Sequence, residues 1–233
     1  MTETISKNWL SEGLKAVANG FSIIFHPIFL ITYFLLIILI LNPYLFGAND
    51  MKDKGLIIIY VVAISIVFPL IPIVMMYALG MSKSITLKSK GERTVPLILT
   101  GIFYLWLYIN MVNNQSIPPA FNAFLLGSVI TLFSCFFINL FSKISLHTAG
   151  IAGLFTGICW FRYYYAYDSF YLRLSDGHIF TFETNIIILI LLIIAGIIGT
   201  SRLILKAHQP SDIYGGYLVG FAAQIIAIRI ILN

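Results

Sequence analysis

From Phe21 to Leu41 the chain carries no lysine, arginine, aspartate or glutamate, and apolar runs of this kind recur down its length. Further runs cover about 55–79, 95–112, 119–141, 148–167, 184–200 and 213–232. A helix needs about 20 apolar residues to cross a hydrocarbon core of ~30 Å. Backbone amides and carbonyls find no water there, so each must be paired internally, and all seven runs read as helices. The fifth and sixth are shorter or interrupted. Composition points the same way. Of 233 residues, 60% are hydrophobic and 10% charged, with a mean hydropathy of +0.97, against about 25% charged in an ordinary soluble domain. The expected fold is all-α: one polytopic transmembrane bundle of about six to seven spans over residues 1–233, without a soluble domain.

The first 20 residues differ from the rest. Glu3, Lys7, Glu12 and Lys15 alternate at helical spacing with Ile5, Trp9, Leu10, Leu14 and Val17. That pattern predicts an amphipathic interfacial leader helix rather than a cleavable signal. Pro27, Pro69 and Pro72 fall inside runs and are expected to kink them. The longest connection, about 166–183, holds Asp168, Arg173, Asp176, His178 and Glu183, and reads as an exposed loop. Cys135 and Cys159 sit in apolar stretches and read as packed thiols. A net charge of +5 without a basic helix or dense Lys/Arg run excludes nucleic acid as a partner and leaves anionic lipid or an anionic substrate.

Counting each run as one crossing, residues 80–94, 142–148 and 201–212 are separated by two spans each time. An even number of crossings returns the chain to the same face. Three distant segments are therefore expected on one membrane surface, and they hold most of the polar chemistry.

The strongest of these is Ser201-Arg202-Leu203-Ile204-Leu205-Lys206-Ala207-His208-Gln209-Pro210-Ser211-Asp212. A histidine four residues before an aspartate can share one side of a turn with it. The carboxylate then fixes the tautomer and leaves the other ring nitrogen as a nucleophile. Arg202 adds a planar fork suited to phosphate oxygens. In Ser145-Leu146-His147-Thr148, His147 sits where a helix begins, beside N–H groups that favour an anion, and Ser145 is placed either to donate to that anion or to cap the helix. Between Lys83 and Pro96, Lys88, Lys90 and Arg93 gather positive charge ahead of a span.

Ser201-Arg202-x(5)-His208-x(3)-Asp212 resembles the third signature of the type 2 phosphatidic acid phosphatase superfamily, which includes the vanadium haloperoxidases, at every fixed position. Ser145-Leu146-His147-Thr148 is similar to the second signature, Pro-Ser-Gly-His, with Ile144 in place of proline and Leu146 in place of glycine. Of the first signature, Lys-x(6)-Arg-Pro, only Arg93 carries over: Thr86 stands seven residues before it, and Pro96 three after. The resemblance spans residues 83–216.

What the resemblance implies is a metal-independent lipid phosphatase. His208 is then the nucleophile that becomes phosphorylated, Asp212 its orienting partner, and His147 the acid that protonates the leaving oxygen and later activates water. Arg93, Arg202 and Ser145, with Lys88 or Lys90, would bind the phosphate. No cofactor is implied, and Glu92 and Asp212, the only carboxylates of the three segments, are too few for a two-metal site. The partners implied are a lipid phosphate substrate and the surrounding lipids. Glycine at position 146 would let the backbone approach phosphate closely, so Leu146 makes a catalytically inactive member one alternative. A transporter is another, and a haem protein using paired histidines a third. The resemblance places the protein in a bacterial cytoplasmic membrane with its site facing the periplasm. Lysine and arginine do not orient it, since six on the site face, once three expected phosphate ligands are set aside, stand against five on the other.

Overall fold

The computed structural model describes residues 2–47, 54–81, 90–173 and 178–232, the side chains of 2–11, 90–93 and 172–173 excepted. The described chain is a helical bundle: α1 (Thr2–Ile24), α2 (Leu30–Leu41), α3 (Gly55–Val62), α4 (Phe68–Ala78), α5 (Lys90–Val112), α6 (Pro119–Phe141), α7 (Leu146–Tyr164), α8 (Asn185–Ile204) and α9 (Pro210–Leu232). Among the described residues six helical segments are long and apolar enough to cross a membrane: Glu12–Leu41, Gly55–Ala78, Thr94–Val112, Pro119–Phe141, Asn185–Ile204 and Pro210–Leu232. The protein is an integral membrane protein.

The remaining run of the seven is α7, 19 residues long. It is the inner helix, packed against α2, α6, α8 and α9. Thr148, Ala149, Ala152, Gly153, Thr156 and Gly157 are among its buried residues. A helix enclosed by protein gains from small residues that let neighbours approach, whereas one facing lipid must present large apolar side chains. The weakness of this run as a membrane span therefore has a packing cause.

Two of the three prolines mark interruptions of the helices, by different routes. Pro69 has no N–H to donate one turn back, and the chain widens into a single π-turn over Ala63–Val67 just ahead of it. Pro72 sits within α4. Pro27 opens a short 3₁₀ turn, Pro27–Phe29, that separates α1 from α2. α1 itself runs unbroken to Ile24 and packs along α8, burying Ala18 and Ser22.

One expectation needs correction. Within the connection expected as a plain loop, β1 (Ser169–Arg173) and β2 (Ile179–Glu183) form an antiparallel hairpin with Phe170 opposite Phe182. Those two rings stack at a centroid distance of 5.6 Å, a cross-strand aromatic pair of the kind that stabilises isolated ribbons. Arg162 near the end of α7 anchors the hairpin's base through Asp168 at 2.7 Å and through the amide of Asn185 at 3.0 Å.

α9 lies in the groove between α6 and α7. Its backbone comes so near α7 that a Cβ on Gly220 would collide with the Ala149 carbonyl oxygen, and one on Gly216 with the Thr148 hydroxyl. One turn further on, Gln224 is buried against Gly127 of α6 and donates to the Ala123 carbonyl at 3.3 Å. Gly215, on the other side of α9, faces open space. Gly220→Ala is expected to destabilise the fold by about 1–3 kcal/mol through overpacking. Gly215→Ala is expected to be neutral or to stabilise by up to about 1 kcal/mol through helix propensity. Thermal unfolding of the two variants in detergent checks the contrast.

Candidate active site

α8 ends at Ile204, and the way it ends sets up everything beyond it. Ala207 N–H bonds to the Arg202 carbonyl at 3.1 Å and Lys206 N–H to the Leu203 carbonyl at 2.9 Å, the paired bonds of a Schellman turn. The residue at the left-handed position is Lys206, at φ 51°, where glycine is usual. The turn reverses the chain and brings His208 back beside Arg202 in the last turn of α8.

α9 then begins at Pro210, with Asp212 in its first turn. One carboxylate oxygen of Asp212 accepts from Gln209 N–H at 3.1 Å, half of a capping box, and lies 3.3 Å from His208 Nδ1. Both side chains are largely buried, 6% exposed for His208 and 12% for Asp212. With Nδ1–H donating to the carboxylate, His208 Nε2 is left as a lone pair. The helix start and the histidine's tautomer are thus fixed by the same oxygen.

The second segment meets the first through the backbone. Ser145 N–H donates to the Asp212 carbonyl at 3.2 Å, Thr148 Oγ1 donates to the Ile213 carbonyl at 3.1 Å, and Lys143 Nζ reaches the Ala207 carbonyl at 2.6 Å. Ser145 is fully buried and caps α7, its Oγ accepting from Thr148 N–H at 3.5 Å. An open pocket of about 460 Å³ lies beside the pair, with Lys143, His208, Gln209 and Asp212 in its wall.

Leu146 does not occupy this space. It packs with Ile138 and Val219 against Cys135, Ile144 and Ala149, a small apolar cluster between α6, α7 and α9. Lys206 is the one non-glycine residue at positive φ among the described residues, so position 146 demands no glycine conformation. Ile144, in the place of the signature proline, is buried in the same cluster.

Arg202 lies within electrostatic reach of three imidazoles: His208, His147 and His26. The third, His26, lies outside the three polar segments that the sequence singles out. Its ring stands edge-on to that of His147, centroids 5.1 Å apart. The sequence did hold a signal, a histidine followed by proline inside a charge-free run, since proline breaks a helix and a polar residue within a span is a functional candidate.

The third segment is reached only in part. Lys88 lies outside the described residues, as do the side chains of Lys90 and Arg93. The backbone still locates Arg93. Gly101 of α5 faces Phe133 of antiparallel α6; Arg93 lies roughly two turns before Gly101, and Phe141 roughly two turns after Phe133. Arg93 is therefore carried at the end of the bundle where α6 gives way to Ser145 and His147. Among the described residues no group of three or more His, Cys, Asp or Glu side chains is arranged to hold a metal ion.

Burial, and then the Arg202 guanidinium, push His208 down to about 4 against the opposing pull of Asp212. The ring is accordingly neutral over the whole physiological range and charges only below about pH 4. An unfolded histidine protonates near 6.5. The fold therefore keeps this contribution above about pH 6.5 and loses it as pH falls toward 4. Imidazole NMR titration is expected to find His208 titrating near 4, and a value near 6.5 would contradict the geometry. Lys206→Gly, by relieving the left-handed residue, is expected to raise stability by about 1 kcal/mol in thermal unfolding.

A family model described as the PAP2 superfamily matches residues 103–233, which takes in both histidine segments and begins after Arg93. No curated protein and no solved structure matches the chain. Membership of that superfamily brings with it phosphatase activity, a phosphoric ester hydrolase in general terms. With more than half of its length under the family model, and with His147, Arg202, His208 and Asp212 at one end of a helical membrane bundle, the protein belongs to the PAP2 superfamily.

Proposed function

We propose that the protein is a metal-independent lipid phosphatase working through a phosphohistidine. The observation that carries the reading is the buried His208–Asp212 pair, with its free Nε2 beside Arg202 and His147 nearby. Nε2 of His208 attacks phosphorus in line, forming an N–P bond as the P–O bond to the lipid breaks. His147 gives a proton to the departing oxygen. Asp212 holds the ring and balances the charge that develops on it. Water then attacks phosphorus, passes a proton to His147, and the N–P bond breaks to release phosphate and restore His208. Arg202 and Arg93, with Lys88 or Lys90, neutralise the equatorial oxygens, the main demand of phosphoryl transfer. Ser145 supports them as the cap that holds the first turn of α7, whose N–H groups favour an anion.

A lipid substrate is supported by a second feature. An apolar groove of about 310 Å³ starts at Ile24 and Phe25, beside Ser22 and His26, and runs between α2 and α8 as far as Ile40 and Ile187. An acyl or prenyl chain laid there leaves its phosphate at the polar end of the bundle. Phosphatidic acid, phosphatidylglycerol phosphate, undecaprenyl diphosphate and lipid A phosphate all have this form. We place the site on the periplasmic face of a bacterial cytoplasmic membrane.

The test is phosphate release from this panel in detergent. His208→Ala is expected to abolish it, and Asp212→Asn to lower kcat by about 10²-fold or more. Lys206→Ala, at a residue that shapes the turn from the wall of the pocket, is expected to retain most of it. Full activity in His208→Ala would end the mechanism.

A further inference from the structure

The break between α1 and α2 brings two groups to His147 that belong to neither histidine segment. A regular helix would pair the Ser22 carbonyl with the N–H of His26. Here His26 N–H turns instead to the Ile23 carbonyl at 3.2 Å, because the chain tightens ahead of Pro27. The Phe21 carbonyl is taken by Phe25 N–H at 3.0 Å and the Ile24 carbonyl by the Tyr33 hydroxyl at 2.8 Å. The Ser22 carbonyl is thus released from the helix ladder, and it meets His147 Nε2 at 3.1 Å. His26 caps the 3₁₀ turn, its Nδ1 accepting from Ile28 N–H at 3.4 Å. That bond fixes the ring that stands at 88° to the His147 ring.

A carbonyl oxygen can only accept. His147 Nε2 must therefore carry a proton in every protonation state of the ring, and only Nδ1 can gain and lose one. We infer that the α1–α2 break is a positioning device for His147, in which the Ser22 carbonyl commits Nδ1 to proton transfer and the His26 ring holds the imidazole at that angle. His26 is a positioning residue: it acts through His147 and need not touch the phosphate. The inference rests on the proposed role of His147 as acid and base, and it adds which atom moves the proton and what aims it.

Two measurements test it, one of them independent of activity. Imidazole ¹⁵N NMR of the intact protein in detergent is expected to show neutral His147 as the Nε2–H tautomer; the Nδ1–H tautomer would overturn the assignment. The second compares kcat/KM for an alkyl phosphate, whose leaving oxygen needs a proton, with that for para-nitrophenyl phosphate, whose leaving group needs almost none. A general acid supplies about 10²–10⁴-fold. His26→Ala is expected to lose about 10-fold or more on the alkyl ester and less than about 3-fold on the aryl ester. In a His147→Ala background it should cost nothing further. His26→Asn keeps a side-chain acceptor for Ile28 N–H but removes the ring, and is expected to show the same imbalance at an unchanged Tm. Equal losses on both esters, additivity with His147→Ala, or wild-type rates in His26→Asn would each overturn the role of the ring. Loss of phosphohydrolysis in the wild-type protein, or its persistence in His208→Ala, would instead strike the underlying mechanism.

Discussion

The site depends on how closely two backbones lie together. Gly216 and Gly220 remove the side chains that would hold α9 away from α7, and the first turns of the two helices then bond directly, Ser145 N–H to the Asp212 carbonyl and the Thr148 hydroxyl to the Ile213 carbonyl. His147 lies between Ser145 and Thr148, and His208 is four residues from Asp212. Their relative position is therefore set by bonds that all end on main-chain carbonyls. In a bilayer, where burial of apolar surface does little to drive helices together, van der Waals contact and hydrogen bonds at small residues carry that task.

The polar groups of the site come from places where helices stop. A helix end leaves carbonyls or amides without partners in its own ladder. The end of α1 supplies the Ser22 carbonyl, the start of α7 supplies N–H groups beside His147, the end of α8 supplies Arg202 and the turn at Lys206, and the start of α9 supplies Asp212. All of these lie at one end of the bundle. The opposite end carries the hairpin and the Arg162–Asp168 ion pair. Apolar spans thus store their unsatisfied chemistry at one boundary.

Much of this was legible in the residues. Apolar runs located the spans, and the parity of crossings brought 142–148 and 201–212 to one surface, as the Lys143–Ala207 and Ser145–Asp212 bonds bear out. The spacing of His208 and Asp212 implied their pairing. Other features depend on tertiary neighbours that no local pattern encodes. Leu146 looked obstructive because sequence cannot say that it points into the cluster around Cys135. Lys206 occupies a left-handed position with no glycine to announce it. The hairpin did have a local signal, Asp176-Gly177 between two runs rich in aromatic and β-branched residues, which the charged residues around it obscure. The place of His26 at the site is not encoded locally, because its partner, His147, lies more than a hundred residues away in the chain.

The central claim is that His208 Nε2 forms a covalent bond to phosphorus. Rapid acid-free quenching of the wild-type protein with a radiolabelled lipid phosphate, followed by digestion and mass spectrometry, reads it directly. The account predicts a phosphopeptide modified at His208, stable in alkali and labile in acid, that forms and decays at rates matching turnover. A label on any other residue, or steady phosphate release with no labelled intermediate under conditions that trap one, would contradict it.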